Sequence, residues 1–149
     1  MNSRFQLRKI KAQETHAVRH PMLRKGRPLS SCVFEGDEDP KTIHLGAFTG
    51  GQMVGVLSAY AKTHPDFKIE NSYQVRGVAV LPEHHRNGVG RLLMNRIEEK
   101  LFHKEISFIW LNARIAAVPF YQQLQYTVHG SVFDLPPIGL HYCYFKHLI

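Results

Sequence analysis

Apolar and polar residues alternate along residues 4–10, RFQLRKI, with Phe5 and Leu7 on one side and Arg4, Gln6 and Arg8 on the other, which predicts a first strand. The following AQETHAVRHPMLRKG reads as a short helix from about Ala12, broken at Pro21 and closed by Gly26. RPLSSCVFEGDEDPKT reads as an irregular polar connection. IHLGAFTGGQMVGVLSAYA predicts two strands joined at Gly50-Gly51, because paired glycines accept the positive φ of a tight hairpin turn. KTHPDFKIEN is the next loop and SYQVRGVAVL the longest strand candidate. From Val89 the period changes: Val89, Leu92, Leu93, Ile97 and Leu101 recur at helical intervals, with Arg91, Asn95, Arg96, Glu98 and Glu99 between them. ISFIWLNA is nearly all apolar, the pattern of a central strand covered on both faces. IAAVPFYQQLQ predicts a second, shorter helix with Pro119 in its first turn or at a kink. YTVHGSVFDL and GLHYCYFKHLI predict two antiparallel strands linked by Pro136-Pro137. There is no internal repeat, and the order of elements implies an α/β domain with a mixed sheet.

Length and composition set the scale. The chain has 149 residues, 44% hydrophobic and 21% charged, which fits one compact domain over 1–149. No apolar run has signal-peptide or membrane-spanning length, so the expectation is a cytoplasmic protein with no membrane partner. Cys32 and Cys143 lack metal-site spacing, and the 10 histidines form neither HExxH nor HxH, so no metal is expected. The net charge of +7 favours an anionic partner, either nucleic acid or a phosphorylated small molecule. The basic residues are dispersed and no nucleic-acid-binding motif accompanies them, which disfavours nucleic acid.

The loop VLPEHHRNGVGRLL carries the most specific chemistry. It joins the end of a strand to the start of a helix, where unpaired backbone N–H groups and the helix dipole stabilise an anion. Gly88 and Gly90 let residues His85 to Arg91 curl around a phosphate, and Arg86 and Arg91 can add charge. A pyrophosphate is the ligand this predicts. The dinucleotide motif GxGxxG fails because Leu93 stands at its third glycine, and the Lys-Ser/Thr of a P-loop is missing.

VAVLPEHHRNGVGRLLM resembles the acetyl-coenzyme A loop of the GNAT superfamily, the GCN5-related N-acetyltransferases, and LNARIAAVPFYQQLQYTVHG resembles the second signature of that superfamily. The two stand in the family's order and separation. Together with LRKGRPLSSCVFEGDEDP and FDLPPIGLHYCYFKHL, they resemble a subset of small bacterial members of mostly unassigned acceptor. The resemblance implies a single-domain α/β fold. Its sheet would be mixed and mostly antiparallel, of six to seven strands, with helices on both faces and a splayed central strand pair.

The implied activity is transfer of the acetyl group of acetyl-CoA to a primary amine of a small molecule, by direct attack in a ternary complex. The implied partners are a coenzyme A thioester and an amine acceptor, with a homodimer left open. The resemblance places the cofactor's pyrophosphate on the backbone of His85, Arg86, Asn87, Gly88, Val89, Gly90 and Arg91. His85 stands where the family has Gln or Arg. Ala79 and Val80 would face the pantetheine arm and the thioester carbonyl. Tyr121 stands at the position of the tyrosine that protonates the departing thiolate, and a phenol holds its proton at neutral pH. Gln125-Tyr126 replaces the usual Gly-Phe, and Arg114 replaces a common asparagine.

Many members use a glutamate of the fourth strand or a water relay as the base, but residues 72–81 contain no carboxylate. Glu35, Asp37, Glu70, His64 and His141 are the candidates. His141 ranks first because its strand resembles the one lining the acceptor side and an imidazole is suited to proton transfer near neutrality. Two other readings stay open: acetylation of a protein or peptide, and a non-catalytic acyl-CoA-binding module.

Overall fold

The structure is a computed structural model and describes residues 4–149. Seven strands form one sheet: β1 (Gln6–Lys9), β2 (Ile43–Thr49), β3 (Gln52–Ala61), β4 (Ser72–Val80), β5 (Phe108–Arg114), β6 (Thr127–Leu135) and β7 (Gly139–His147). They lie in the order β1-β2-β3-β4-β5-β7-β6. Three α-helices accompany them: α1 (His16–Leu23), α2 (Val89–His103) and α3 (Val118–Gln123). β4 and β5 run parallel, while β1 with β2, β2 with β3, β5 with β7 and β6 with β7 are antiparallel, so the sheet is mixed as expected. Among the described residues no helix is long and apolar enough to cross a membrane.

The chain divides into two compact units, residues 4–60 with Arg76–Lys100, and Ala61–Val75 with Leu101–Ile149. In the first unit, Gly50 and Gly51 have φ of +56° and +80° and close the β2–β3 hairpin with Thr49 opposite Gln52. Neighbouring residues of β3 face opposite sides of the sheet. Val56 packs with Val18 of α1, whereas a side chain at Gly55 would strike Val89 and Leu93 of α2. The two helices therefore cover opposite faces of β3. Of the stripe its period predicts, α2 buries Val89, Leu93 and Ile97 and half-buries Leu92, and it buries Met94 as well.

Two expectations need correction in this unit. α1 is not broken at Pro21 but continues to Leu23, where the N–H of Arg24 closes it on the carbonyls of Arg19 and His20 (3.1 and 3.2 Å). The proline lies in the last turn, where its missing N–H removes a single ladder bond. The connection after Gly26 is also more than polar surface. It contains a 3-10 turn at Leu29–Cys32 and carries Cys32, Phe34 and Asp37 into the interior.

Asp37 meets Arg19, whose side chain is fully buried. The guanidinium donates to both carboxylate oxygens (2.7 and 3.1 Å), to the Cys32 carbonyl (2.8 Å), to Ser58 Oγ (2.9 Å) and to Tyr60 Oη (3.1 Å). Tyr60 Oη and the Phe34 N–H donate to Asp37 in turn (2.5 and 2.9 Å). His44 bridges Ser58 Oγ (2.6 Å) and the Asp37 carbonyl (3.0 Å). Burial raises the Asp37 pKa, but the hydrogen bonds from Arg19, Tyr60 and the Phe34 N–H outweigh it and hold the carboxyl below its ordinary value. Burial and the bond to Asp37 push Tyr60 up to about 12.

In the second unit β4 and β5 pair from Ser72–Phe108 to Val75–Leu111. Phe108, Trp110 and Cys143 form its core with Phe67, Ile69, Phe133 and Phe145 around them. The Trp110 indole donates to the Lys62 carbonyl (3.0 Å), which anchors the loop after β3. Cys143 is buried here, and burial pushes its thiol up to about 11, the state of an inert packing thiol. β6 and β7 pair on either side of an irregularity between His129 and Phe133 and are joined at Pro136-Pro137, as the sequence predicts.

Removing one partner of a buried ion pair strands the other, so Arg19→Ala is expected to lower stability by about 3–5 kcal/mol in urea unfolding near neutral pH. Asp37→Asn acts in the same direction, with a pH signature. A depressed carboxylate contributes stability above its unfolded value, ~3.9, and loses it as pH falls through the lower folded value. The stability gap between Asp37→Asn and the parent is therefore expected to narrow on acidification below about pH 4.

Candidate active site

β4 ends at Val80, and Leu81 N–H bonds the Val54 carbonyl of β3 (2.8 Å) before a 3-10 turn at Pro82–His84. The next residues change hand in quick succession: His85 has φ of −63°, Arg86 +67° and Gly88 +80°. His85 is extended, and the left-handed residues after it can turn N–H groups toward one point, the geometry of an anion nest. The first intrahelical bond of α2 runs from Leu92 N–H to the Gly88 carbonyl (3.0 Å). The N–H groups of Val89, Gly90 and Arg91 thus precede the ladder and point out of the helix end. Arg86 and Arg91 are exposed beside them. His85 behaves differently from a phosphate ligand, since its Nε2–H donates back to the Val80 carbonyl (2.7 Å). Its ring ties the loop to β4 and leaves anion contacts to the backbone and the arginines. Asn87 is held through its N–H on the His84 carbonyl (3.3 Å).

The strand leading to this loop is bent. Gly77 has φ of +67° inside β4, a bulge position, two residues past Val75, the last β4 residue paired with β5. A Cβ at Gly77 would lie 3.1 Å from Phe34 Cε2 and 3.6 Å from Arg19 Nε. Arg76 reaches the same aromatic group: its guanidinium carbon lies 5.0 Å from the Phe34 ring centroid and 5.6 Å from that of Tyr60. Successive strand residues normally face opposite sides, so two neighbours meeting one ring is the work of the bulge. Arg76 is half-buried, and no hydrogen bond or ion pair to it occurs among the described residues. Ala79, the next inward residue, is buried.

Tyr121 lies in α3, which starts with Pro119 in its first turn as expected. The ring is 7% exposed, and burial raises the phenol well above its ordinary value, so the proton stays on oxygen at neutral pH. The helix stops immediately after it. Gln125 N–H bonds the Gln122 carbonyl (3.0 Å) and Tyr126 N–H the Tyr121 carbonyl (3.1 Å), the paired bonds of a Schellman end. Gln125 has φ of +69° at the place glycine favours, and the Tyr126 ring meets Tyr121 edge to face at 5.8 Å. Lys146 Nζ adds a bond to the Leu124 carbonyl (3.0 Å). These contacts fix the backbone that carries Tyr121.

His141 is buried in β7, opposite Phe133 of β6 and Arg114 of β5. Its Nδ1 lies 2.7 Å from the Gly139 carbonyl, an acceptor, so Nδ1 carries a proton and Nε2 is the nitrogen left to exchange one. The other base candidates fare differently. The Asp37 carboxylate is used by Arg19, Tyr60 and Phe34. Glu35 and Glu70 are exposed. His64 accepts the Asp66 N–H at Nδ1 (3.0 Å) and packs on Trp110 at 4.7 Å. Among the described residues no group of three His, Cys, Asp or Glu is arranged to hold a metal.

The profile of the Acetyltransferase (GNAT) family matches residues 7–126, from the first strand to Tyr126. The chain belongs to this family. As a GNAT protein it is an acetyl-CoA-dependent N-acetyltransferase. It is 28% identical over 144 residues to the uncharacterized N-acetyltransferase YitI of Bacillus subtilis (strain 168), covering 97% of both chains. Its fold is similar to that of an aminoglycoside 6'-N-acetyltransferase complexed with coenzyme A, with a TM-score of 0.77, 15% identity and 97% of each chain covered. It is also similar to the ribosomal-protein-S18-alanine N-acetyltransferase from Escherichia coli, with a TM-score of 0.72, 13% identity, 95% of this chain and 90% of that one. The anion nest at the start of α2 suits the pyrophosphate of a coenzyme A thioester.

The sequence reading did not single out Arg19, Phe34 or Arg76. Arg76 had a signal, a lone cation inside the apolar run VRGVAV. Arg19 and Phe34 had none, because only the fold brings them together.

Two substitutions test how the site is built. Gly55→Ala sets a Cβ 2.9 Å from Val89 Cγ1 and is expected to cost about 1–3 kcal/mol in urea unfolding, with partial recovery on adding Val89→Ala. Gln125→Gly relieves the left-handed residue after α3 and is expected to raise stability by about 0.5–1 kcal/mol in the same assay.

Proposed function

We propose that residues 1–149 form a single N-acetyltransferase domain that acetylates the primary amine of a small molecule bearing an anionic group, by direct attack in a ternary complex. The half-buried Arg76 carries this reading. A guanidinium with five donors and no acceptor among the described residues, set on β4 three residues before Ala79, is suited to a carboxylate or phosphate on the acceptor. Residues 72–81 contain no carboxylate, so none on this strand repels such a substrate.

In this reading the N–H groups of Gly88, Val89, Gly90 and Arg91 hold the pyrophosphate, with Arg86 and Arg91 adding charge and His85 and Asn87 shaping the loop. Ala79 and Val80 offer backbone groups to the pantetheine arm and the thioester carbonyl, where an N–H stabilises the developing oxyanion. The amine nitrogen bonds to the acetyl carbon, the carbon–sulfur bond breaks, and the ammonium proton passes to Nε2 of His141. Tyr121 serves the leaving sulfur. Its phenol, raised by burial, is a weaker acid than a free thiol of pKa about 8.5, so it stabilises the thiolate chiefly by donating a hydrogen bond and surrenders its proton only as that proton is replaced.

Three measurements test this. Acetyl-CoA and coenzyme A are expected to raise the melting temperature saturably, by mass action on the folded state. Tyr121→Phe is expected to lower kcat about 10- to 100-fold with that stabilisation unchanged. Equal turnover in the variant would remove Tyr121 from the mechanism. For the acceptor, amino acids and aminoalkylphosphonates are compared with their neutral amide or ester partners by thiol release. The anionic member of each pair is expected to be favoured about tenfold or more, and Arg76→Gln to abolish the preference through KM. N-acetylated products and their amides, titrated in the presence of coenzyme A, give the same comparison without turnover. Equal binding of charged and neutral partners would exclude the anionic acceptor.

A further inference from the structure

Three arginines meet one phenyl ring in the first unit. The guanidinium carbons of Arg19, Arg24 and Arg76 lie 3.9, 4.9 and 5.0 Å from the centroid of Phe34. Each is fixed differently. Arg19 is neutralised by Asp37. Arg24 donates to the Ser31 and Leu23 carbonyls (3.2 and 2.9 Å). Arg76 has only the faces of Phe34 and Tyr60.

We infer that Phe34 is a positioning residue of the acceptor site, the platform that holds the Arg76 guanidinium in place and so sets the preference for an anionic acceptor. The inference rests on the reading of Arg76 given above and adds the element that makes it work. An arginine loses considerable side-chain freedom when it must bind in one geometry, and a residue that already restricts it lowers that loss.

Phe34 is itself immobilised on every side the structure shows. Its N–H donates to Asp37 Oδ2 (2.9 Å) and its carbonyl accepts the Asp37 N–H (3.1 Å), so the segment closes on the carboxylate that pairs with Arg19. Its ring edge lies where a side chain on Gly77 would be, which couples it to the bulge of β4. Arg19 Nε, fully buried and without a hydrogen-bond partner, is turned toward the same bulge, so this buried cation is held by its other nitrogens and by the ring. The π face attracts a guanidinium without neutralising it, unlike a carboxylate. A cation kept ordered but unneutralised is what an incoming anion requires. The ring is 7% exposed, so its part is to orient Arg76 and not to touch the acceptor.

The experiment compares Phe34→Leu, which keeps apolar bulk, with Phe34→Tyr, which keeps the ring, in the full chain with acetyl-CoA. Phe34→Leu is expected to raise acceptor KM about five- to tenfold for anionic amines, leave kcat within about twofold, and leave neutral amines and the acetyl-CoA thermal shift unchanged. Phe34→Tyr is expected to restore the parent selectivity. Should Phe34→Leu not fold, pentafluorophenylalanine at position 34 preserves the shape, inverts the ring quadrupole and is expected to give the same KM increase. Lower stability with unchanged anion selectivity would make Phe34 packing alone and overturn the inference. So would equal losses on charged and neutral acceptors. A parent enzyme with no anion preference, or one that Arg76→Gln does not alter, would instead remove the acceptor reading beneath it and the inference with it. A selective parent, sensitive at Arg76 and insensitive at Phe34, would remove this inference alone.

Discussion

The buried guanidinium of Arg19 imposes the central constraint on its unit. An arginine cannot shed its charge in a protein, so burying one obliges the surrounding elements to bring acceptors to it. Here they come from separate parts of the chain: Asp37 and the Cys32 carbonyl from the connection after α1, Ser58 and Tyr60 from β3. The connection has little regular structure of its own, only a 3-10 turn, yet it cannot wander, because moving Asp37 away would leave a cation without its counter-charge. A loop rich in Ser, Gly, Asp and Pro is thereby held against the sheet by electrostatics where apolar area is scarce. Phe34 is carried along with it and meets the bulge at Gly77.

The loop between β4 and α2 obeys a second constraint, one of distance. Gly55 lets α2 approach β3 until Val89 occupies the space of a missing Cβ. That approach sets where the first turn of α2, with its unpaired N–H groups, stands relative to the end of β4. Backbone conformation then aims them: Arg86 and Gly88 are left-handed, while His85 pins the loop to the Val80 carbonyl. The side chain standing at the family's Gln or Arg position is thus a brace, and the unpaired peptide groups and the exposed Arg86 and Arg91 are what the loop can offer an anion.

Much of this was legible in the sequence, and the reasons separate by range. The Gly50-Gly51 hairpin, α2 and the strand pair around Pro136-Pro137 are set by local periodicity and turn chemistry, so they could be read directly. The turn from β4 into α2 was legible because a strand end, two glycines and a helix start lie in one short stretch. The course of α1 through Pro21 was not, since proline is disfavoured inside a helix but tolerated when the final closing bonds, here from Arg24, lie beyond it. The polar connection was misjudged for a deeper reason. Asp37 scores as a surface residue on composition, and only its contact with an arginine 18 positions earlier makes it interior. Asp37 had also seemed a candidate base, a role its pairing forecloses. A carboxylate held ionised below its ordinary range by a buried guanidinium takes a proton too weakly at neutral pH to serve.

That exclusion shapes the chemistry left to the rest of the chain. Residues 72–81 contain no carboxylate, so β4 offers Arg76 and no acidic side chain to take the proton of an attacking amine. In the proposed reaction the proton is then taken by a water relay or by a side chain of another element. His141 is the side chain proposed for that part: its Gly139 partner is a carbonyl, which fixes the proton on Nδ1 and leaves Nε2 bearing the lone pair. A carboxylate partner would have raised the basicity of that ring. A neutral partner orients the ring without adding charge.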